Sequence, residues 1–136
     1  MNNAQLLTRS HPAVQPELTV YYDGSCPLCT REISYYRRLD TAARIMWEDV
    51  ARENASCPLG YDRLTLLQRF HVKELASGAM FHGAAAFARL WCTLPSPWRW
   101  LGRLALCRPV TWLLEAGYRF SLLVRPWLTR RTRTRR

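Results

Sequence analysis

The sequence predicts one mixed α/β domain, built in the order βαβαββα and extended by further helices at its C-terminal end. Short runs rich in β-branched and aromatic residues alternate with segments of helical periodicity, the pattern of strands joined by helical crossovers. A chain of 136 residues can enclose one core and is too short for two domains of ordinary size. Apolar residues make up 49% and charged residues 22%, a balance that argues against wholesale disorder.

Residues 1–17 are polar and interrupted by Pro12 and Pro16, which reads as a flexible leader. Leu18-Thr19-Val20-Tyr21-Tyr22 is a strand, ended by a turn at Asp23-Gly24-Ser25. Pro27 suits the first turn of a helix, and Ile33, Tyr36 and Leu39 recur at helical spacing after it. A polar connection at Asp40–Arg44 leads to a second strand, Ile45–Val50, and a strand-helix-strand order favours a parallel pair. A loop around Cys57–Gly60 precedes a short helix at Asp62–Gln68 and a strand at Arg69–Glu74. Ser77-Gly78 turns the chain into a hairpin partner, Ala79–His82. Gly83 opens an alanine-rich helix with Ala84, Phe87, Ala88 and Trp91 on one face, closed by Leu94-Pro95-Ser96-Pro97. Two helices follow, Trp98–Arg108 and Val110–Leu128, separated by Pro109. In the last, Thr111, Glu115 and Arg119 form a polar face, with Val110, Leu113, Leu114 and Gly117 opposite. Arg130–Arg136 is a charged tail without core residues.

Charge divides the chain. Residues 1–75 carry nine basic and nine acidic side chains, whereas residues 76–136 carry eleven basic ones and a single acid, Glu115. Such asymmetry suits an anionic partner or a solvated basic face. Base-reading motifs are missing, so no specific nucleic acid is expected. Met1–Glu17 holds no apolar run of signal-peptide length, and later apolar stretches are broken well before the ~18 residues of a membrane span. A reducing, cytoplasmic location is expected, where five cysteines are thiols rather than a disulfide framework.

The chemistry centres on Cys26-Pro27-Leu28-Cys29. A helix starting here puts Cys26 at its exposed N-terminus, where unpaired N–H groups and the helix dipole favour thiolate. Cys29, one turn in, lies on the same side. Cys26 can then attack a substrate disulfide and Cys29 resolve the mixed disulfide. Asp23, at the strand end, is placed to accept a proton from Cys29, or to form an Asx-turn or cap the helix.

Tyr22-Asp23-Gly24-Ser25-Cys26-Pro27-Leu28-Cys29 resembles the signature of the DCC family of thiol-disulfide oxidoreductases, named for its Asp-x-x-Cys-x-x-Cys pattern. The similarity continues through Phe70-His71-Val72, Gly83-Ala84-Ala85-Ala86 and the Trp/Pro-rich C-terminal helices. It implies a thioredoxin-like domain over residues 18–94, a helical extension at 95–128 packed on it, and a basic tail at 129–136. It also implies a reductase of protein disulfides with Cys26 as nucleophile, Cys29 as resolving thiol and no cofactor. The expected partners are a disulfide-containing protein or small molecule and a thiol reductant. No proline lies immediately before the Arg69–Glu74 strand, where typical thioredoxins place one, and the glutathione-binding elements of glutaredoxins are absent.

Two other readings compete. Cys26 and Cys29 with Cys57 and His71 or His82 would make a zinc site, although a second closely spaced ligand pair is lacking. A non-catalytic module is the other, with a redox-sensitive Cys pair and peripheral contact to an anionic membrane or a protein through the basic half. Trp91, Trp98, Trp100, Trp112 and Trp127 accompany arginines there, as in interfacial helices, and packing against the sheet is the simpler expectation. Cys92 and Cys107 are expected to fill apolar helical surroundings, Cys57 to lie in a loop, and His71 and His82 to serve as strand residues.

Overall fold

The computed structural model describes residues 14–133, and side chains as far as residue 127. Its elements are β1 (Leu18–Tyr22), α1 (Pro27–Leu39), β2 (Ile45–Asp49), α2 (Arg63–Gln68), β3 (His71–Glu74), β4 (Met80–His82), α3 (Gly83–Thr93), α4 (Trp98–Ala105) and α5 (Arg108–Arg133). The first seven reproduce the expected βαβαββα order. Most of the expected leader, residues 1–13, falls outside the described residues, and Glu17 already bonds through its backbone to Arg44 and Leu75.

The four strands form one mixed sheet in the order β2-β1-β3-β4. β1 runs parallel to β2 and antiparallel to β3, and β3 and β4 make the hairpin. Alternation along β1 sends Leu18 and Val20 to one face and Tyr21 to the other, and all three are buried. Under the first face lies the main core, where Leu18, Val20, Ile45 and Val72 meet Ile33 and Tyr36 of α1 and Ala86, Leu90 and Leu94 of the α3 segment. The second face is smaller: Tyr21 and Val50 pack on Leu66 of α2. This is a thioredoxin-like sheet with β1 at its centre, and the end of a central strand is where its next turn is held most firmly.

The C-terminal helices depart from expectation in three ways. The break between α4 and α5 is at Leu106–Cys107 rather than at Pro109, which sits in the first turn of α5, where a missing N–H costs nothing. α5 then runs through Pro126 to Arg133, so five residues of the expected tail continue the helix.

The third departure moves two residues across α5, while Val110 and Leu114 are partly covered and Arg119 exposed as expected. Glu115, expected in solvent, turns inward and accepts a bond from the Ala84 N–H at 3.0 Å, capping α3. Gly83 makes room for it: a Cβ there would lie 2.6 Å from the Glu115 carboxylate, and its φ of +62° suits glycine. Tyr118, one turn later, accepts the Phe70 N–H at 2.8 Å at the start of β3. Leu113, expected inside, is exposed, as are Trp112, Phe120 and Leu123. The tryptophans divide accordingly. Trp47, Trp91 and Trp98 pack against the core, while Trp100 and Trp112 stay in solvent. No helix among the described residues is long and apolar enough to cross a membrane.

Candidate active site

The turn after β1 is built from short-range bonds that leave little freedom. Asp23 Oδ1 accepts the Ser25 N–H at 3.0 Å and the Ser25 hydroxyl at 2.5 Å, and the Asp23 carbonyl accepts the Cys26 N–H at 3.2 Å. The expected Asx-turn is therefore present. Gly24 donates its N–H to Asp49 Oδ1 at 2.9 Å, and an added Cβ would fall 2.1 Å from that carboxylate. Asp49, at the end of β2, is itself held by the Ala51 N–H at 3.0 Å. Only glycine lets the two strand ends approach this closely.

The cap of α1 is Cys26 and not Asp23: its Sγ accepts the Cys29 N–H at 3.4 Å, and Pro27 follows in the first turn. Cys26 is also buried, with 2% exposure, whereas Cys29 is only partly covered. This overturns the expectation of an exposed Cys26. Part of the site's surroundings comes from the far end of the chain, 102 residues beyond Asp23. Arg125, on the inward face of α5, reaches Asp23 Oδ2 at 2.5 Å and brings its positive charge to bear on the Cys26 thiol.

These neighbours separate the two thiols electrostatically. Burial works against ionisation of Cys26, but hydrogen bonds from the Cys29 thiol and N–H, together with the Arg125 charge, hold it below its ordinary value. Cys29 moves the other way: burial, then its bond to Cys26, push it up to about 12 against the pull of Arg125, and the Asp23 charge adds to the rise. Cys26 is thus set toward thiolate and Cys29 toward the protonated thiol. Arg125 lowers both thiols, so the difference between them comes from the burial of Cys29 and from the hydrogen bonds that Cys26 accepts from it.

Beside Cys29 opens a cleft of about 270 Å³ between α1, the start of β3 and α5. Leu28, Phe70, Phe87, Tyr118 and Leu122 make it largely apolar, and Glu32, Arg69 and Arg125 add charge. Glu32 is pushed up by burial despite a bond from the Tyr36 hydroxyl at 3.0 Å.

Sequence reasoning missed Arg125 and Tyr118. The available signal was the spacing of Tyr118, Leu122 and Arg125, which fall at i, i+4 and i+7 on one helix face. The remaining cysteines stand apart. Cys57 is exposed in its loop, and Cys92 packs beside Gly102. Cys107, expected in apolar surroundings, is exposed because the helix breaks beside it. His71 is buried, its Nδ1 2.8 Å from the Arg69 carbonyl, and neighbours His82 across the hairpin. Among the described residues, no three His, Cys, Asp or Glu side chains are grouped so as to hold a metal ion.

Comparison with curated proteins and with solved structures finds no match. A family model for DCC1-like thiol-disulfide oxidoreductases matches residues 20–131. That span begins in the strand that carries the cysteine turn and reaches past Arg125 in α5, so it takes in both ends of the chain that meet at the thiols. The chain belongs to the DCC1-like thiol-disulfide oxidoreductase family.

Proposed function

We propose that the chain is a protein-disulfide reductase of a reducing cytoplasm, working through Cys26 and Cys29. The observation that carries this reading is the opposed setting of two thiols one helical turn apart: Cys26 is held toward thiolate while Cys29 keeps its proton up to about 12. A nucleophile must be ionised to attack, and a resolving thiol that stays protonated does not compete with it.

The Cys26 thiolate attacks one sulfur of a substrate disulfide, forms a mixed disulfide and expels the other sulfur as thiolate. Cys29 then loses its proton, with the Asp23 carboxylate as acceptor, and attacks the Cys26 sulfur. The Cys26–Cys29 disulfide forms and the second substrate thiol leaves. An external thiol reductant restores the pair. Because Cys26 is buried, the substrate reaches it along the cleft that Cys29 lines, and the Arg125 guanidinium gives way as the new sulfur–sulfur bond forms. The apolar walls suit the side chains that flank a disulfide in a protein.

Cys29→Ser is expected to accumulate a mixed disulfide with a model protein disulfide, visible as a covalent adduct that reductant removes. Cys26→Ser is expected to give neither adduct nor turnover. Wild-type turnover by the Cys26→Ser protein would overturn the assignment.

A further inference from the structure

We infer that the outward face of α5, together with the adjoining α4, seats the protein on an anionic lipid bilayer. Trp112, Leu113, Ala116, Phe120 and Leu123 recur at three- and four-residue spacing and all are exposed, so one side of a long helix is an apolar stripe left open among the described residues. α4 packs on α5 and exposes Trp100, Leu101 and Leu104. Trp112 and Leu123 are 74% and 79% exposed, close to what they would have in an unfolded chain.

The charge on these helices chooses the occupant. Arg99, Arg103, Arg108 and Arg119 are exposed alongside the apolar residues. The one carboxylate of residues 76–136, Glu115, is turned inward onto the Ala84 N–H and held by Arg119 at 3.3 Å. The face therefore presents cations and apolar groups with no acid among them. A second copy of this chain would bring like charges together on such a face. An anionic bilayer instead takes arginines at its headgroups, with their stems lying along the apolar side chains, and tryptophans at the boundary between headgroup and acyl chain. Since no described helix can cross a membrane, contact is along the surface. The contact also orients the redox site, because Arg125 and Tyr118 occupy the opposite side of the same helix.

The test is sedimentation of the full chain with vesicles of phosphatidylglycerol and phosphatidylcholine, compared with phosphatidylcholine alone. Binding is expected to the anionic vesicles, stronger by at least about tenfold than to the neutral ones and weakened by added salt. A Trp112→Ser, Phe120→Ser, Leu123→Ser variant replaces only solvent-facing side chains and is expected to keep its melting temperature. Its vesicle binding is expected to fall by about tenfold. Failure of the wild-type chain to bind anionic vesicles, or equal binding by the triple variant, would overturn the inference. So would a dimer in solution, seen by sedimentation equilibrium, that the same substitutions dissociate, since the stripe would then belong to a second copy. Disulfide turnover by the unbound protein is independent of all three results.

Discussion

Asp23 divides its two carboxylate oxygens between the turn that positions the cysteines and the cation whose charge reaches both, Ser25 on one and Arg125 on the other. Two physical effects of its charge act in opposite directions on the resolving step. As a nearby negative charge, Asp23 raises Cys29, so removing it makes that thiol easier to ionise and the step faster. As the group that takes the Cys29 proton, its removal makes the step slower. Asp23→Asn keeps the local bonds to Ser25 and removes the charge, so the sign of the rate change separates the two. Slower resolution is expected near neutral pH, with the deficit shrinking as rising pH lets Cys29 ionise without an acceptor. Rapid-quench measurement of mixed-disulfide decay across pH reads this directly, and a variant that resolves faster at every pH leaves Asp23 an electrostatic and turn-forming role only.

The strands and α1 to α3 were legible because each carries its own signal: β-branched runs, a proline at the first helical turn, glycine at turns. The cysteine turn was legible for the same reason, since the bonds of Asp23 to Ser25 and of Cys26 to Asp23 and Cys29 run between residues two or three apart. On α5 the periodicity misplaces Glu115 and Leu113 because a helix on the rim of a small domain does not have to bury its most apolar side. Three polar side chains, Glu115, Tyr118 and Arg125, have partners on α3, β3 and the cysteine turn, and those long-range partners fix the rotation of the helix. No local pattern reports them. The packing of α4 on α3 was equally silent in the sequence. Gly102 approaches so closely that a Cβ would lie 2.5 Å from the Cys92 backbone nitrogen and 2.9 Å from the Ala88 carbonyl oxygen. In an open helix, Gly→Ala stabilises by about 1 kcal/mol. Here the obstacles are backbone atoms that cannot turn aside, and overpacking of this kind costs ~1–3 kcal/mol. Gly102→Ala is expected to lower the denaturation midpoint, and a rise would mean that α4 moves away from α3 without penalty.

The reduced protein as a whole carries the two thiols as opposed contributions to its stability. Cys26 is depressed in the fold, so between its folded value and the ordinary thiol value of 9.0 the unfolded chain binds the extra proton and stability rises with pH. Above 9.0 the sign changes, because unfolded Cys29 ionises while folded Cys29 holds its proton to about 12. Stability is then lost, by at most about 1.4 kcal/mol per pH unit for this one proton. Denaturant melts of the reduced protein at about pH 9 and about pH 10 are expected to show that loss, and Cys29→Ala is expected to show less of it. Equal losses in both proteins would assign the fall to other groups. The bond between Asp23 and Arg125 also sets an order of events during synthesis. Domains emerge from the ribosome N-terminal end first, at about 5–20 residues per second. Cys26 and Cys29 are therefore in the cell for several seconds before residue 125 exists, and through that interval the nascent chain has its thiols without their guanidinium. The local hydrogen bonds of the cysteine turn can form first, and the charge that adds to them comes last, with the final helix.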